Sequence, residues 1–434
     1  MHSGDPANEA LDHASNHARL DGSAWPDCIR VHRVINSRRL LPDRRRAQSK
    51  QQRETENRPH PLNLVNLSQN SSRMISHLYV HIPFCPKVCP YCSFYKEASD
   101  RNKTSSFLDA VLAEAERHAP RLTPQTIFFG GGTPTALSTS QLSYLIGGLR
   151  DRIDLSDLKE FTVEMNPATV STEKAGMLRE LGVNRVSMGV QSWDAGLLAT
   201  LGRVHSSRQA RRSYEILREA GFDNVNLDLI FGVPGQNRQQ WQNCLEETLA
   251  LEPNHVSAYC LTYEQDTEYF MRMSRSEYQP DHALDADLFE MTMDTLEPAG
   301  FFQYEISNYS RPGRECRHNL AYWLGADFLG LGPSAFSTVG SERWKNVSDT
   351  TAYVAALGSG QDPADFRETL SDRTRQAECI AFSLRTNRGV DPKLIEDSKA
   401  EEFAAIGLLI LKDGRWQLTR QGRLLADSVA EAFI

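Results

Sequence analysis

Residues 77–94 read HLYVHIPFCPKVCPYCSF, a short apolar run that ends in three cysteines. HLYVHI (77–82) is rich in the β-branched, aliphatic and aromatic residues that suit a strand, and Pro83 closes it. Cys85, Cys89 and Cys92 follow with CxxxCxxC spacing on the loop beyond. Three thiolates in that pattern can hold three irons of a [4Fe–4S] cubane and leave the fourth iron without a protein ligand. The same spacing also suits a zinc site completed by a fourth ligand such as His81, or three core thiols with no common task.

Working outward, the chain alternates β-rich runs with longer stretches of helical period. Further strands are expected at 126–130 (TIFFG), 160–165 (EFTVEM), 185–190 (RVSMGV), 224–232 (NVNLDLIFG) and 255–262 (HVSAYCLT). Between the first two lies SSFLDAVLAEAERHA, where Phe107, Leu108, Val111, Leu112 and Ala115 fall on one helical face. Repeated βα units predict an α/β fold with parallel strands and helices outside, either a doubly wound sheet or a barrel. Both architectures gather functional groups at the carboxyl ends of the strands.

Polar groups do recur at those ends. Gly130-Gly131-Gly132-Thr133-Pro134-Thr135 closes the second strand, where residues without a side chain let a ligand meet bare N–H and C=O groups. Glu164 ends the third strand in EMNP, Gln191 follows the fourth in SMGVQS, and Asp228 lies in the fifth. Each alone reads as an ordinary solvated or capping residue. Four successive strand ends offering polar groups to one mouth point to a binding site.

With these motifs in order, the chain resembles the radical S-adenosylmethionine (SAM) family that contains the oxygen-independent coproporphyrinogen III oxidases and the HemW-like haem chaperones. YVHIPFCxxxCxYC, GGGTPT, ExNP, SxGVQS and DLIFGVPGQ carry the resemblance from about Leu78 to the C-terminus. It implies a partial (β/α) radical SAM barrel with cluster and SAM at its open end. It also implies that the open iron chelates the methionine end of SAM, and that an electron from the cluster cleaves the sulfonium. Carried over by position, Tyr79 and Tyr91 would flank SAM and cluster, and Gly131, Gly132 and Thr133 would meet the methionine end. Glu164, Gln191 and Asp228 would hold the ribose region, and Arg203, in LGRVHS, would pair with the SAM carboxylate. Outside the family pattern Arg203 reads as a surface arginine.

Two features separate the branches that the resemblance brings in. The oxidase branch has a further cysteine two residues after the third cluster cysteine, where this chain has Phe94. His318-Asn319-Leu320-Ala321-Tyr322-Trp323 matches the HNxxYW motif of the chaperone branch. A neutral imidazole suits an axial site on haem iron and the neighbouring rings suit a porphyrin face, so His318 is the candidate haem ligand. Taken by itself, His318 reads first as a satisfied structural histidine, with Trp323 as core. The expectation is a haem chaperone that delivers haem to an acceptor hemoprotein, and the alternative is a coproporphyrinogen III oxidase. An electron donor such as flavodoxin or ferredoxin is a partner the resemblance allows.

The flanks and bulk composition frame this core. Residues 1–74 hold one aromatic, Trp25, and the Arg- and Gln-rich RRLLPDRRRAQSKQQRETENRP, and read as a disordered polar extension. Met74 directly before ISHLYVHIP makes a start codon assigned too far upstream an expectation of its own. The barrel is expected over 75–300 and an extension carrying HNxxYW over 301–358. Residues 359–434 read as a winged-helix-like α+β domain: AEEFAAIGLLILK as helix into strand, Asp413-Gly414 as a hairpin turn, and Thr419 as the cap of a final helix. The 434 residues are 40% hydrophobic and 24% charged, as in a globular protein. No apolar run reaches the ~18 residues of a membrane span, and no secretory signal opens the chain, so a cytoplasmic location is expected. A net charge of -8 disfavours nucleic acid, which needs a basic face. A zinc-stabilised winged-helix regulator is the remaining contrasting class.

Overall fold

The computed structural model describes residues 73–99 and 101–434. The expectations for the polar extension and the upstream start lie outside the described residues, apart from Arg73 and Met74.

The first strands in chain order are β1 (Ile75–Ile82), β2 (Phe84–Cys85), β3 (Glu97–Ala98), β4 (Leu122–Gly131), β5 (Glu160–Met165), β6 (Arg185–Gln191), β7 (Asn224–Phe231) and β8 (His255–Cys260). They continue with β9 (Phe302–Glu305), β10 (Asn308–Ser310), β11 (Leu329–Leu331), β12 (Phe336–Val339), β13 (Glu342–Asn346), β14 (Ala364–Thr369), β15 (Leu409–Lys412) and β16 (Arg415–Leu418). Nine of them form one sheet in the order β11-β1-β4-β5-β6-β7-β8-β10-β9. Every pairing from β11 to β8 is parallel. β10 then runs antiparallel to both β8 and β9. The two edges, β11 and β9, are not paired with each other, so the parallel run is a partial barrel, as expected.

Period-2 alternation explains why these sequences take this place. On β5 through β8, Phe161, Val163, Val186, Met188, Val225, Leu227, Leu229 and Val256 join the buried apolar core beneath the helices. The intervening residues, including Glu164, Ser187, Asn226, Asp228 and Ser257, line a cleft on the other face. The outer layer is built from helices such as Thr139–Arg152, whose Leu142, Leu145, Ile146 and Leu149 are all buried. Each such side chain contributes about 1.5–3 kcal/mol by leaving water. Ser138 with Gln141, Ser206 with Gln209 and Asn237 with Gln240 close capping boxes at three helix starts. Phe107, Leu108, Val111, Leu112 and Ala115 form the buried face of the helix Arg101–His118, as their spacing predicts.

The C-terminal part carries two small antiparallel sheets, β12-β13-β14 and β15-β16. Helices Asp372–Leu384 and Asp397–Ala405, the β15-β16 hairpin and a final helical segment succeed one another in a winged-helix-like order. Asp413-Gly414 does join the hairpin, and Thr419 does cap the helix Arg420–Leu424 by accepting from the N–H of Gly422. The last segment is two helices, Arg420–Leu424 and Ala426–Glu431, broken at Leu425 where the run reads as one. A buried pair ties this part together: Arg343 on β13 grips both oxygens of Glu378 at 2.7 and 2.9 Å.

Candidate functional site

The parallel strands open onto a cleft of about 260 Å³. Eleven of the thirteen residues singled out in the sequence line it. Cys85, Cys89, Cys92 and Tyr91 come from the loop after β1, and Gly131, Gly132 and Thr133 from the end of β4. Glu164, Gln191 and Asp228 come from β5, β6 and β7, and Arg203 from the turn before helix Ser207–Glu219.

The cysteine loop is pinned on both sides. Gly132 and Thr133 donate their N–H groups to the carbonyls of Ile82 and Phe84, each at 2.8 Å, and Glu97 on β3 donates to Pro83 at 2.8 Å. A Cβ on Gly132 would lie 2.7 Å from the carbonyl carbon and oxygen of Pro83, so only glycine permits this approach. Cys85 Sγ lies 3.6 Å from Thr133 Oγ1, and Arg203 Nη1 donates to Cys89 Sγ at 3.5 Å. Burial raises the Cys85 thiol above its usual range and pushes the Cys92 thiol up to about 11. A bound metal has to displace those protons.

His81 is committed elsewhere. Its Nε2 bonds the carbonyl of Tyr95 at 2.9 Å and its Nδ1 lies 3.1 Å from the Tyr79 hydroxyl. Among the described residues no three His, Cys, Asp or Glu side chains are drawn together as ligands of a single metal ion. Thiolates that each serve a different iron of a cubane need no such convergence.

The opposite wall is polar and partly unsatisfied. Gln191 stands at φ 67, a left-handed conformation costly for a side chain, beside a register shift in the β6-β7 pairing. Its Oε1 is buried without a hydrogen-bond partner, as is Nε of Arg203. Arg203 is held by Nη2 donating to the carbonyl of Gly189 at 2.9 Å. Asp228 accepts from Ser187 Oγ at 3.0 Å and from Asn226 Nδ2 at 2.7 Å. Burial pushes Glu164 up to about 8, and the charge of Asp228 adds to the effect. Orphaned acceptors and donors, a carboxyl at the edge of ionisation and a glycine cradle together fit a polar ligand seated over the thiols. The same residues could therefore hold a cluster and SAM.

Tyr79 and His318 do not line the cleft. Tyr79 is nearly buried behind Gly130, tied to His81. His318 has no exposed surface. Its Nδ1 pairs with Thr126 Oγ1 at 2.8 Å, its Nε2 with the Tyr322 hydroxyl at 2.8 Å, and its ring stacks on Phe128 at 5.2 Å. Both nitrogens are engaged, and neither is open to an iron in this arrangement. Trp323, from the same motif, packs edge-on against Phe382 of the C-terminal part at 5.9 Å. HNxxYW thus brackets the barrel to the C-terminal unit, with Asn319 alone reaching the cleft.

Residues 79–248 match the model of the radical SAM superfamily. The chain is 35% identical over 376 residues to the protein of Bacillus subtilis named Heme chaperone HemW, covering 82% of this chain and 98% of that one. The chain belongs to the HemW family. A second HemW, from Escherichia coli K12, is 32% identical over 377 residues, with 82% and 97% covered. The solved coproporphyrinogen III oxidase HemN from Escherichia coli shares the fold at a TM-score of 0.73 and 24% identity, over 85% of this chain and 91% of that one.

Reading motif by motif misses part of this HemW-family site. Arg185, Ser187, Asn226, Ser257 and Asn319 also line the cleft. The signal that could have found Arg185, Ser187 and Asn226 is the period-2 run of polar residues along β6 and β7 (Arg185, Ser187; Asn224, Asn226, Asp228), unusual in strands that helices cover.

Proposed function

We propose that this chain is a haem chaperone that binds a [4Fe–4S] cluster, SAM and haem and delivers haem to an acceptor hemoprotein. The observation that carries the choice is Phe94. It lines the cleft two residues beyond Cys92, where the oxidase branch has a further cysteine. The name shared by the Bacillus and Escherichia relatives supports the same reading.

In this reading Cys85, Cys89 and Cys92 hold the cluster. When bound, cluster and SAM together supply one-electron chemistry at a sulfonium. Gly131, Gly132 and Thr133 present main-chain groups to the methionine end, and Arg203 meets its carboxylate from the Cys89 side. Glu164, Gln191 and Asp228 accept from ribose hydroxyls, and Tyr91 shields the loop. Tyr79 acts through His81, which holds the Tyr95 end of the cysteine loop. His318 would have to release Thr126 or Tyr322 to meet an iron, so its part in this reading is to anchor the motif helix. A flavodoxin- or ferredoxin-type donor would reduce the cluster. The reading puts the protein in the cytoplasm, and among the described residues no helix is long and apolar enough to cross a membrane.

The test is an anaerobic comparison on reconstituted protein. The expected result is a haem Soret band that moves to an added apo-hemoprotein, with coproporphyrinogen III left unconsumed in the presence of SAM and reductant. Robust protoporphyrinogen formation would overturn the reading in favour of the oxidase.

A further inference from the structure

Val190 and Gln191 close β6 where its pairing with β7 slips and Gln191 takes φ 67. A residue with a side chain keeps that left-handed conformation only where its neighbours fix it. The Val190 carbonyl is the fixed point. It accepts from the N–H of Ser192 at 2.9 Å and pairs with Nε2 of His205 at 3.0 Å. Burial, with the charge of Arg203 adding to it, lowers the His205 pKa to about 4 and keeps the ring neutral. A carbonyl only accepts, so the ring is the Nε2–H tautomer.

His205 lies two residues beyond Arg203, and residues 202–205 touch two parts of the site at once. Arg203 donates from Nη2 to the Gly189 carbonyl at 2.9 Å and from Nη1 to Cys89 Sγ at 3.5 Å. Gly202 lies so close to the cysteine loop that a Cβ would stand 2.7 Å from Pro90 Cδ. A Cβ on Gly189 would meet Gln191 Nε2 at 2.7 Å and Arg203 Nη2 at 3.4 Å, so both side chains share the bare space above that residue. His205 is 4% exposed and does not line the cleft. Its Nδ1 is buried without a hydrogen-bond partner among the described residues, and the bond to Val190 is what offsets burial of the ring.

We infer that His205 is a positioning residue of the SAM site: by holding the Val190 carbonyl it keeps Gln191 turned into the cleft and residues 202–205 set against Cys89. This rests on the reading that Gln191 and Arg203 meet SAM. A strand end that loses its slip turns the next side chain to the opposite face. Only the molecules that keep the clasp would then bind SAM at full strength.

The experiment titrates SAM into the full-length, cluster-reconstituted chain as wild type, His205→Leu, His205→Asn and His205→Gln, with iron and sulfide measured on each. A glutamine amide nitrogen reaches the place of Nε2, whereas asparagine stops short of it and leucine fills the space with no donor. The SAM Kd is expected to rise about tenfold or more in His205→Leu and His205→Asn, and to stay within about threefold of wild type in His205→Gln, with full cluster content throughout. Wild-type SAM affinity in cluster-loaded His205→Leu or His205→Asn overturns the inference alone. So does a His205→Gln as weak as His205→Leu, since the donor is then not what matters. Where one of His205→Leu and His205→Asn fails to fold, the other is compared with His205→Gln. Loss of folding or of the cluster in His205→Gln, or in both of the others, overturns the inference by assigning His205 to the fold. Absence of SAM binding by wild type sinks the SAM reading and this inference together.

Discussion

Burial, together with the charge of Asp228, holds the carboxyl of Glu164 up to about 8, so the two acids of one cleft wall do not titrate independently. Burial raises the Asp228 carboxyl as well, and the bonds it accepts from Ser187 and Asn226 oppose that rise, while Glu164 still carries its proton near neutral pH. A SAM ribose hydroxyl can donate to either carboxyl, to Glu164 through the oxygen that carries no proton.

The raised Glu164 makes stability fall with pH. Its folded value lies above the unfolded value of 4.5, so its contribution is full below about 4.5 and is lost as pH rises through about 8. In cluster-free protein, Glu164→Gln should flatten the decline in Tm between pH 6 and 9, a difference of the order of a few kcal/mol at its upper end. Thermal melts at stepped pH check this, and parallel curves for the two proteins would count against it.

Gly132→Ala should damage the ligand site and the fold together. The added methyl meets the Pro83 carbonyl at 2.7 Å, where only backbone can give way. A loss of about 1–3 kcal/mol in stability is expected, with SAM affinity down by about tenfold or more. Urea melts and SAM titration measure the two effects.

His318→Ala removes two buried hydrogen bonds, to Thr126 and Tyr322, and a ring stacked on Phe128. The expected cost is about 2–4 kcal/mol, seen as a Tm several degrees lower. The haem spectrum of the folded fraction should be unchanged. Loss of that spectrum at an unaltered Tm would restore His318 as an axial ligand.

Cys85→Ala, Cys89→Ala and Cys92→Ala should each reduce iron and sulfide from about four of each per chain to a small fraction after anaerobic reconstitution. Cys316→Ala, at a buried thiol beside Glu160, should retain the full content. Colorimetric iron and sulfide assays compare the four directly.

Much of the fold is legible because its determinants are local. The β-rich runs and capping boxes place β1 and β4 to β8 with their helices, and Asp413-Gly414 places the last hairpin. The sheet edges are not legible: β9, β10 and β11 are three or four residues long and owe their places to distant partners, as Leu78 pairing with Leu329 shows. The break at Leu425 follows Gly422, where a Cβ would stand 2.0 Å from the Leu408 carbonyl, a tertiary contact that helical periodicity does not record. At the site, residues in motifs could be read, but Arg185 looks like any arginine at a strand start until its face is known. Tyr79 and His318 sit in motifs that point to ligands, yet each is held by neighbours: Tyr79 by His81, His318 by Thr126 and Tyr322.

The account stands on an iron left free by the three thiolates and offered to SAM. EPR of the dithionite-reduced, reconstituted protein with and without SAM tests it most directly. A low-temperature signal of a [4Fe–4S]⁺ cluster whose g-values shift when SAM is added is the predicted result. A cluster signal indifferent to saturating SAM, or zinc in place of iron and sulfide, would contradict it.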